Sequence, residues 1–123
     1  MCKSHAWKKA DDLVSRYIRE RDGRCVAREF FPDIACLGAL QHMHLVRRRY
    51  QALRWDVGEG TDGIGNGAAG CVAHHHYLTL NPDEHYDFCE RLLGSEGYAA
   101  LRARRFGEPM DPAEVIVRLK EAA

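Results

Sequence analysis

A cysteine and three consecutive histidines, in the segment GCVAHHHYLTL (residues 70–80), constrain the fold of this chain most strongly. The Cys71-x-x-His74 spacing suits two ligands of one tetrahedral ion at a turn from a strand into a helix. Cys25 and Cys36, separated by ten residues in a stretch without regular periodicity, could complete a Cys3His set. Such a set leaves no coordination position open and predicts a structural zinc site. The alternative is that the cysteines are small buried hydrophobic residues.

Length, hydropathy and charge limit the class of protein. At 123 residues the chain is expected to form one domain, 1–123, that a metal could help to stabilise. There is no run of about 18 apolar residues, and the N-terminal MCKSHAWKKADD lacks the apolar region of a signal peptide. We therefore expect a cytoplasmic protein without a membrane partner. Basic and acidic residues balance at 18 each, but the basic ones concentrate in 1–28 and 40–56, which permits a local phosphate-binding groove.

Hydrophobic periodicity and the glycine distribution predict an α+β fold with a small hairpin, a metal-bearing helix and surrounding helices. The glycine-rich segment 57–70 is expected to be irregular apart from a short strand near 68–70. The expected elements are an N-terminal helix at 4–22, a metal-binding core at 24–80 with a strand at 40–46 and a helix at 72–79, and C-terminal helices within 81–121.

Several histidines are placed for a second site. His42 and His44 have the i, i+2 spacing that puts both side chains on one face of a strand. His75 follows His74 directly, so its side chain points about 100° away around the helix. One of these neighbours can therefore face a zinc while the other faces a second metal. The remaining histidines, His5, His76 and His85, are expected at the surface. His76 is alternatively a ligand of the second metal.

The order of these residues resembles the HNH endonucleases, which have the ββα-metal fold. It consists of His44, ALRWD (52–56), Asn66 and CxxHH (71–75), and it is closest to small phage-type members such as the NinG-like recombination nucleases. The run LQHMHLVRRRYQALRWD (40–56) is its most specific part. The resemblance covers about residues 24 to 93.

The resemblance implies a metal-dependent DNA endonuclease that leaves 5′-phosphate and 3′-hydroxyl ends, acting in phage DNA recombination or processing in the bacterial or phage-infected cytoplasm. His44 matches the general base, Asn66 the residue that orients it, and His75 a ligand of a catalytic Mg²⁺ or Mn²⁺. A backbone carbonyl or the Asn66 amide could hold the tautomer of the base. The residues matching the zinc ligands of the family are Cys25, Cys36, Cys71 and His74.

Three departures from the family pattern are visible in the sequence. Arg28 stands where many members have a second cysteine, so Cys36 must substitute for it. Met43 stands where many members have an Asp or His that binds the catalytic ion, and a thioether is a poor ligand for Mg²⁺. His42 is the nearest alternative ligand. A nine-residue glycine-rich insertion precedes Asn66.

The arginines that follow the proposed base point to DNA as the partner. Guanidinium groups match phosphate oxygens in a bidentate manner and position the backbone rather than read bases. The expected DNA-binding residues are Arg47, Arg48, Arg49 and Arg54, whereas Trp55 is expected in the core. Two alternatives stay open: a zinc-stapled DNA-binding module without catalytic activity, and a metal-binding helical protein with no role on nucleic acid. A homodimer would suit an enzyme that makes two coordinated cuts.

Overall fold

The computed structural model describes residues 3–58 and 64–122 of the chain. These residues form five α-helices and a two-stranded antiparallel sheet, which confirms the predicted α+β class. The elements in chain order are α1 (Lys3–Asp22), β1 (Leu40–His44), β2 (Gly67–Cys71), α2 (Val72–Leu80), α3 (Pro82–Leu93), α4 (Ser95–Ala103) and α5 (Pro112–Ala122), with 3₁₀ turns at Val26–Glu29 and Arg104–Phe106.

The long first helix, α1, buries one apolar stripe. Ala10, Val14 and Ile18 recur every four residues and are each at most 1% exposed, which is the pattern of an amphipathic helix on a core. The stripe packs against α5 and against both strands. The helix ends at Gly23, whose positive φ of 65° favours glycine.

The hairpin lies between two helical layers. β1 pairs with β2 so that Leu40 lies opposite Cys71 and His44 lies opposite Gly67. Ala69 packs on the α1–α5 side and its neighbour Ala68 packs on the α2–α4 side, and all five residues of β2 are buried. The sequence GAAGC suits this position because larger side chains would not fit between the layers.

This burial explains how a glycine-rich segment forms a strand. The strand predicted near 68–70 is confirmed and is one residue longer at each end, from Gly67 to Cys71. Glycine usually weakens a strand unless another group approaches the backbone closely. Here the His42 ring lies against Gly67 and the Met43 thioether lies against Gly70. Within the described residues, no helix is long and apolar enough to cross a bilayer.

Candidate functional site

Four predicted zinc ligands converge in the structure. The sulfurs of Cys25, Cys36 and Cys71 and a ring nitrogen of His74 all lie within 4.8 Å of one another. A tetrahedral ion with bonds of about 2.0–2.3 Å needs its ligand atoms about 3.5–4 Å apart, so the cluster can hold a metal ion. Three thiolates and one imidazole are a typical ligand set for zinc. His74 and Cys71 are buried, whereas Cys36 is exposed.

Backbone geometry brings the distant Cys36 into this cluster. Gly38 follows it with φ of +82°, and a Cβ on Gly38 would lie 2.6 Å from a methyl carbon of Val72. The glycine therefore lets the loop approach the first turn of α2, where Ala73 N–H donates to the Leu37 carbonyl (3.2 Å). This contact explains how Cys25 and Cys36, although ten residues separate them, can lie close enough to bind one ion.

Hydrogen bonds around the cluster orient its ligands. His74 Nε2 lies 3.0 Å from the Phe31 carbonyl oxygen, which can only accept, so Nδ1 keeps the lone pair and faces Cys71 Sγ at 3.1 Å. The Cys71 N–H donates to Cys25 Sγ (3.3 Å). Burial raises the pKa of Cys71, but contacts with the His74 backbone N–H and with the His74 ring outweigh it and lower the pKa to about 6. Carbonyl support of a histidine ligand is a common feature of metal sites.

A separate cleft of about 1200 Å³ runs along β1. All five residues of β1 line it, together with side chains of α1 on one side and of α2 and α3 on the other. His44 and His75, the predicted base and metal ligand, both line this cleft, and so do the arginines 47, 48 and 49. The cluster that can hold a metal ion and this cleft thus involve adjacent histidines of α2, His74 and His75.

His44 is held in one tautomer by a backbone carbonyl. Its Nε2 donates to the Arg54 carbonyl oxygen at 3.1 Å, so Nδ1 keeps a lone pair. Burial lowers the pKa of His44 to about 4, although the bond to the Arg54 carbonyl raises it, and the charge of Arg48 lowers it further. The imidazole is therefore neutral at pH 7 and can accept a proton.

Asn66 supports His44 indirectly. The residue is fully buried, and its Oδ1 accepts from Val46 N–H at 2.6 Å. Its Nδ2 donates to the carbonyls of Val46 (2.8 Å) and Leu53 (3.1 Å). These three bonds hold the loop that places the Arg54 carbonyl against His44. Of the two alternatives for the tautomer, the structure therefore selects the carbonyl.

His42 and Met43 lie on opposite faces of β1. Met43 is buried at 2% exposure on the α2 side. The His42 ring stacks on His44 with centroids 4.0 Å apart, and its Nε2 is buried without a hydrogen-bond partner among the described residues. Burial, then the charges of His44 and Arg21, lower the pKa of His42 to about 3. The structure thus places His42 on the α1 side, whereas His75 contacts Gln41 on the α2 side.

The four predicted DNA-binding arginines differ in their surroundings. Arg47 and Arg48 are exposed and make no ion pair with the residues that the structure describes, and Arg49 is exposed and donates to Tyr50 Oη (2.8 Å). Arg54 instead forms a bidentate pair with Asp11, at 2.9 and 2.7 Å. Its guanidinium is therefore paired with a carboxylate of the protein itself.

Two residues of the cleft were missed or misplaced by the sequence reasoning. His85 was expected at the surface, but it is half-buried and its Nε2 donates to the His44 carbonyl (3.2 Å). Asp11 also receives a bond from Trp55 Nε1 at 2.7 Å, and no local pattern signals this long-range contact. His5 and His76 are exposed as predicted, and Trp55 is buried as predicted.

Comparisons with protein-family models, curated proteins and solved structures find no match to this chain.

Proposed function

We infer that this protein is a metal-dependent DNA endonuclease of the HNH type, which hydrolyses phosphodiester bonds with His44 as the general base. The observation that carries this inference is a neutral, carbonyl-anchored His44 in one cleft with His75 and three exposed arginines. A hairpin followed at once by a helix, with the metal-binding cluster beside it, agrees with the ββα-metal fold that the sequence resembles.

The residues of the cleft can perform the hydrolysis as follows. Nδ1 of His44 takes a proton from water as the water oxygen bonds to phosphorus. The bond from phosphorus to the 3′ oxygen breaks, and this oxygen takes a proton from solvent, which leaves 5′-phosphate and 3′-hydroxyl ends. His75 would hold a divalent ion, which would stabilise the negative charge that develops on the phosphate and the leaving oxygen.

The exposed arginines 47, 48 and 49 bind the phosphate backbone in this proposal. Backbone contacts carry little base information, so weak sequence preference is expected. Arg54 supports the site differently from the sequence-based expectation, because its side chain pairs with Asp11 while its carbonyl anchors His44.

Nicking of supercoiled plasmid DNA tests the proposal. Wild-type protein should nick in Mg²⁺ or Mn²⁺ but not in EDTA, and His44→Ala should abolish nicking. His76→Ala is the control, since His76 is an exposed histidine of α2 that does not line the cleft. Nicking that persists in His44→Ala would refute the assignment of the base.

A DNA-binding module without catalytic activity is the second candidate, favoured by the buried Met43 at the position of a usual metal ligand. Both candidates predict DNA affinity that falls as salt rises and that is lost when Arg47, Arg48 and Arg49 are changed to Ala. Arg28→Ala, at an exposed site outside the cleft, serves as the control. Intact binding without nicking in any divalent ion would favour the module.

A further inference from the structure

A partly exposed aromatic ring lies along the cleft on the side of α3. Tyr86 lines the cleft and is 45% exposed. The buried ring of Tyr98, from α4, contacts it edge to face, with the ring centroids 5.1 Å apart and the planes at 70°. The packing of α4 on α3 therefore holds the Tyr86 ring in place while part of it stays open to solvent.

An arginine lies beside both rings. The guanidinium carbon of Arg102 is 5.8 Å from the ring centroid of Tyr86 and 5.8 Å from that of Tyr98, and Arg102 also lines the cleft. Among the described residues it makes no ion pair. Proteins that bind single-stranded nucleic acid combine these two groups, because an aromatic ring stacks on a base and a basic side chain binds the backbone.

The charges along the cleft favour a polyanion. Both carboxylates that line it are paired within the protein, Asp11 with Arg54 and Asp12 with Lys8. The cleft therefore has a surplus of positive charge, although the net charge of the chain is zero. The arginines that line it without an ion pair among residues 3–58 and 64–122 are Arg19, Arg47, Arg48, Arg49 and Arg102.

The aromatic pair is joined to the strand that carries the proposed base. His85 directly precedes Tyr86, and its Nε2 lies 3.2 Å from the His44 carbonyl oxygen. This contact holds α3 against β1. A strand whose phosphates contact the arginines after β1 can therefore reach Tyr86 within the same cleft.

We propose that Tyr86 stacks on an unpaired base, that Arg102 binds a neighbouring phosphate, and that the cleft binds single-stranded DNA in preference to duplex DNA. In a duplex each base is already stacked on its neighbours, so an aromatic side chain reaches a base face only where the base is unpaired. Every base has a π face, so stacking adds affinity without sequence preference. Cleavage of single strands rests on the proposed endonuclease function, whereas their binding does not.

Fluorescence anisotropy with labelled oligonucleotides tests the proposal. An oligothymidine strand is compared with an abasic strand of the same length, which has the same phosphates and no bases, and with a duplex of that length. The full chain is used with zinc in its cysteine-containing cluster and without added Mg²⁺ or Mn²⁺. The wild type should bind the thymidine strand at least about fivefold more tightly than the abasic strand, and more tightly than the duplex.

Substitutions separate the contribution of the base from that of the phosphate. Tyr86→Leu retains an apolar side chain without a ring, so it should weaken binding of the thymidine strand at least about fivefold and leave binding of the abasic strand unchanged. Tyr86→Phe should bind as the wild type does. Arg102→Ala should weaken binding of both strands and reduce the dependence on salt, because it removes a phosphate contact.

An aromatic residue outside the cleft provides the matched control. Phe106 is 72% exposed, does not line the cleft, and has the guanidinium carbon of Arg105 4.3 Å from its ring centroid. Phe106→Leu should therefore bind both strands as the wild type does. Thermal unfolding should show that each variant is folded.

The outcomes separate the stacking site from the endonuclease. Equal affinity of the wild type for the thymidine and abasic strands, or equal losses in Tyr86→Leu and Phe106→Leu, would overturn the stacking site even if the protein nicks DNA. Tighter binding of the duplex would overturn the preference for single strands, and tighter binding of oligouridine would overturn DNA as the ligand. Base-dependent binding that needs Tyr86, without nicking by the wild type, would support the stacking site while contradicting the endonuclease.

Discussion

Four histidines of this chain share one arrangement at the residue scale. In each, one ring nitrogen donates to an oxygen acceptor and the other keeps its lone pair. The acceptors are three backbone carbonyls and one side-chain amide. Sequence spacing predicted which faces carry some of these rings, but it could not predict the tautomers, because the acceptors lie between 10 and 43 residues away along the chain. The residues concerned are His44, His74, His75 and His85.

The pH dependence of nicking should reflect the burial of His44. In the proposed mechanism its neutral form is the base, and its pKa is lowered from 6.5 to about 4, first by burial. The neutral fraction is therefore nearly complete at pH 6 and falls as the pH decreases toward 4. We expect the acidic decline of the rate, measured with saturating Mn²⁺, to lie below pH 6. A decline centred at pH 6.5 or above would contradict a buried base.

The pair of Asp11 with Arg54 should contribute substantially to stability. Asp11→Asn removes one charge of a largely buried bidentate pair and should lower the free energy of unfolding by about 2 kcal/mol. Asp12→Asn is the matched control because its pair with Lys8 is exposed, so it should change stability by under about 0.5 kcal/mol. Urea unfolding measures both, and equal effects would refute this distinction.

At the scale of elements, β2 is the strand that both helical layers cover. Gly67 and Gly70 have no side chain, which leaves room for His42 on one face of β2 and for Met43 on the other. The stacked histidines of β1 thereby keep their position over α1. A side chain added to β2 should disturb the candidate base through His42.

Alanine substitutions at two glycines test this packing. In Gly67→Ala the new Cβ would lie 2.5 Å from His42 Nε2, and we expect a loss of about 1–3 kcal/mol with slower nicking. In Gly97→Ala, inside α4, the nearest atom lies at an ordinary 3.5 Å, and we expect a gain of about 0.5–1 kcal/mol. Thermal unfolding compares the two. A Gly67→Ala protein as stable as the wild type would show that the contact is not tight.

Local and long-range features differ in how far the sequence predicts them. The ends of α1 and α2 followed from periodicity and from Gly23, because helix formation depends on neighbouring residues. The grouping of Cys25, Cys36, Cys71 and His74, which could hold a metal ion, was predicted from their ligand chemistry and spacing and from the family resemblance. Arg54 was predicted to bind DNA because its neighbours in the sequence do not indicate its pairing with Asp11, which lies 43 residues earlier. His85 was similarly missed because only the packing of α3 on the hairpin brings it to β1.

At the scale of the whole molecule, the metal-binding cluster joins three parts of the chain. Cys25 and Cys36 bracket the loop before the hairpin, Cys71 ends β2, and His74 lies in the first turn of α2. An ion there would tie the loop to the hairpin and helix that line the cleft. Binding of such an ion is coupled to folding in small domains.

Removal of the ion should therefore destabilise the whole protein. We expect a strong chelator to lower the melting temperature substantially and to abolish DNA cleavage, with recovery when zinc and Mn²⁺ are restored. Cys36→Ser should lower the zinc content, whereas Cys89→Ser should retain it because Cys89 is buried away from the cluster, beside the Leu45 carbonyl. Elemental analysis gives the zinc content. Full zinc content in Cys36→Ser would contradict the proposed ligand set.

The rate of plasmid nicking in saturating Mn²⁺, compared between His44→Ala and His76→Ala, tests the central claim most directly. Loss of a general base typically costs about 10²–10⁴-fold in rate, so His44→Ala should be slower than the wild type by at least about 100-fold. His76→Ala should match the wild type. Equal rates for His44→Ala and the wild type, or no metal-dependent nicking by the wild type, would contradict the account.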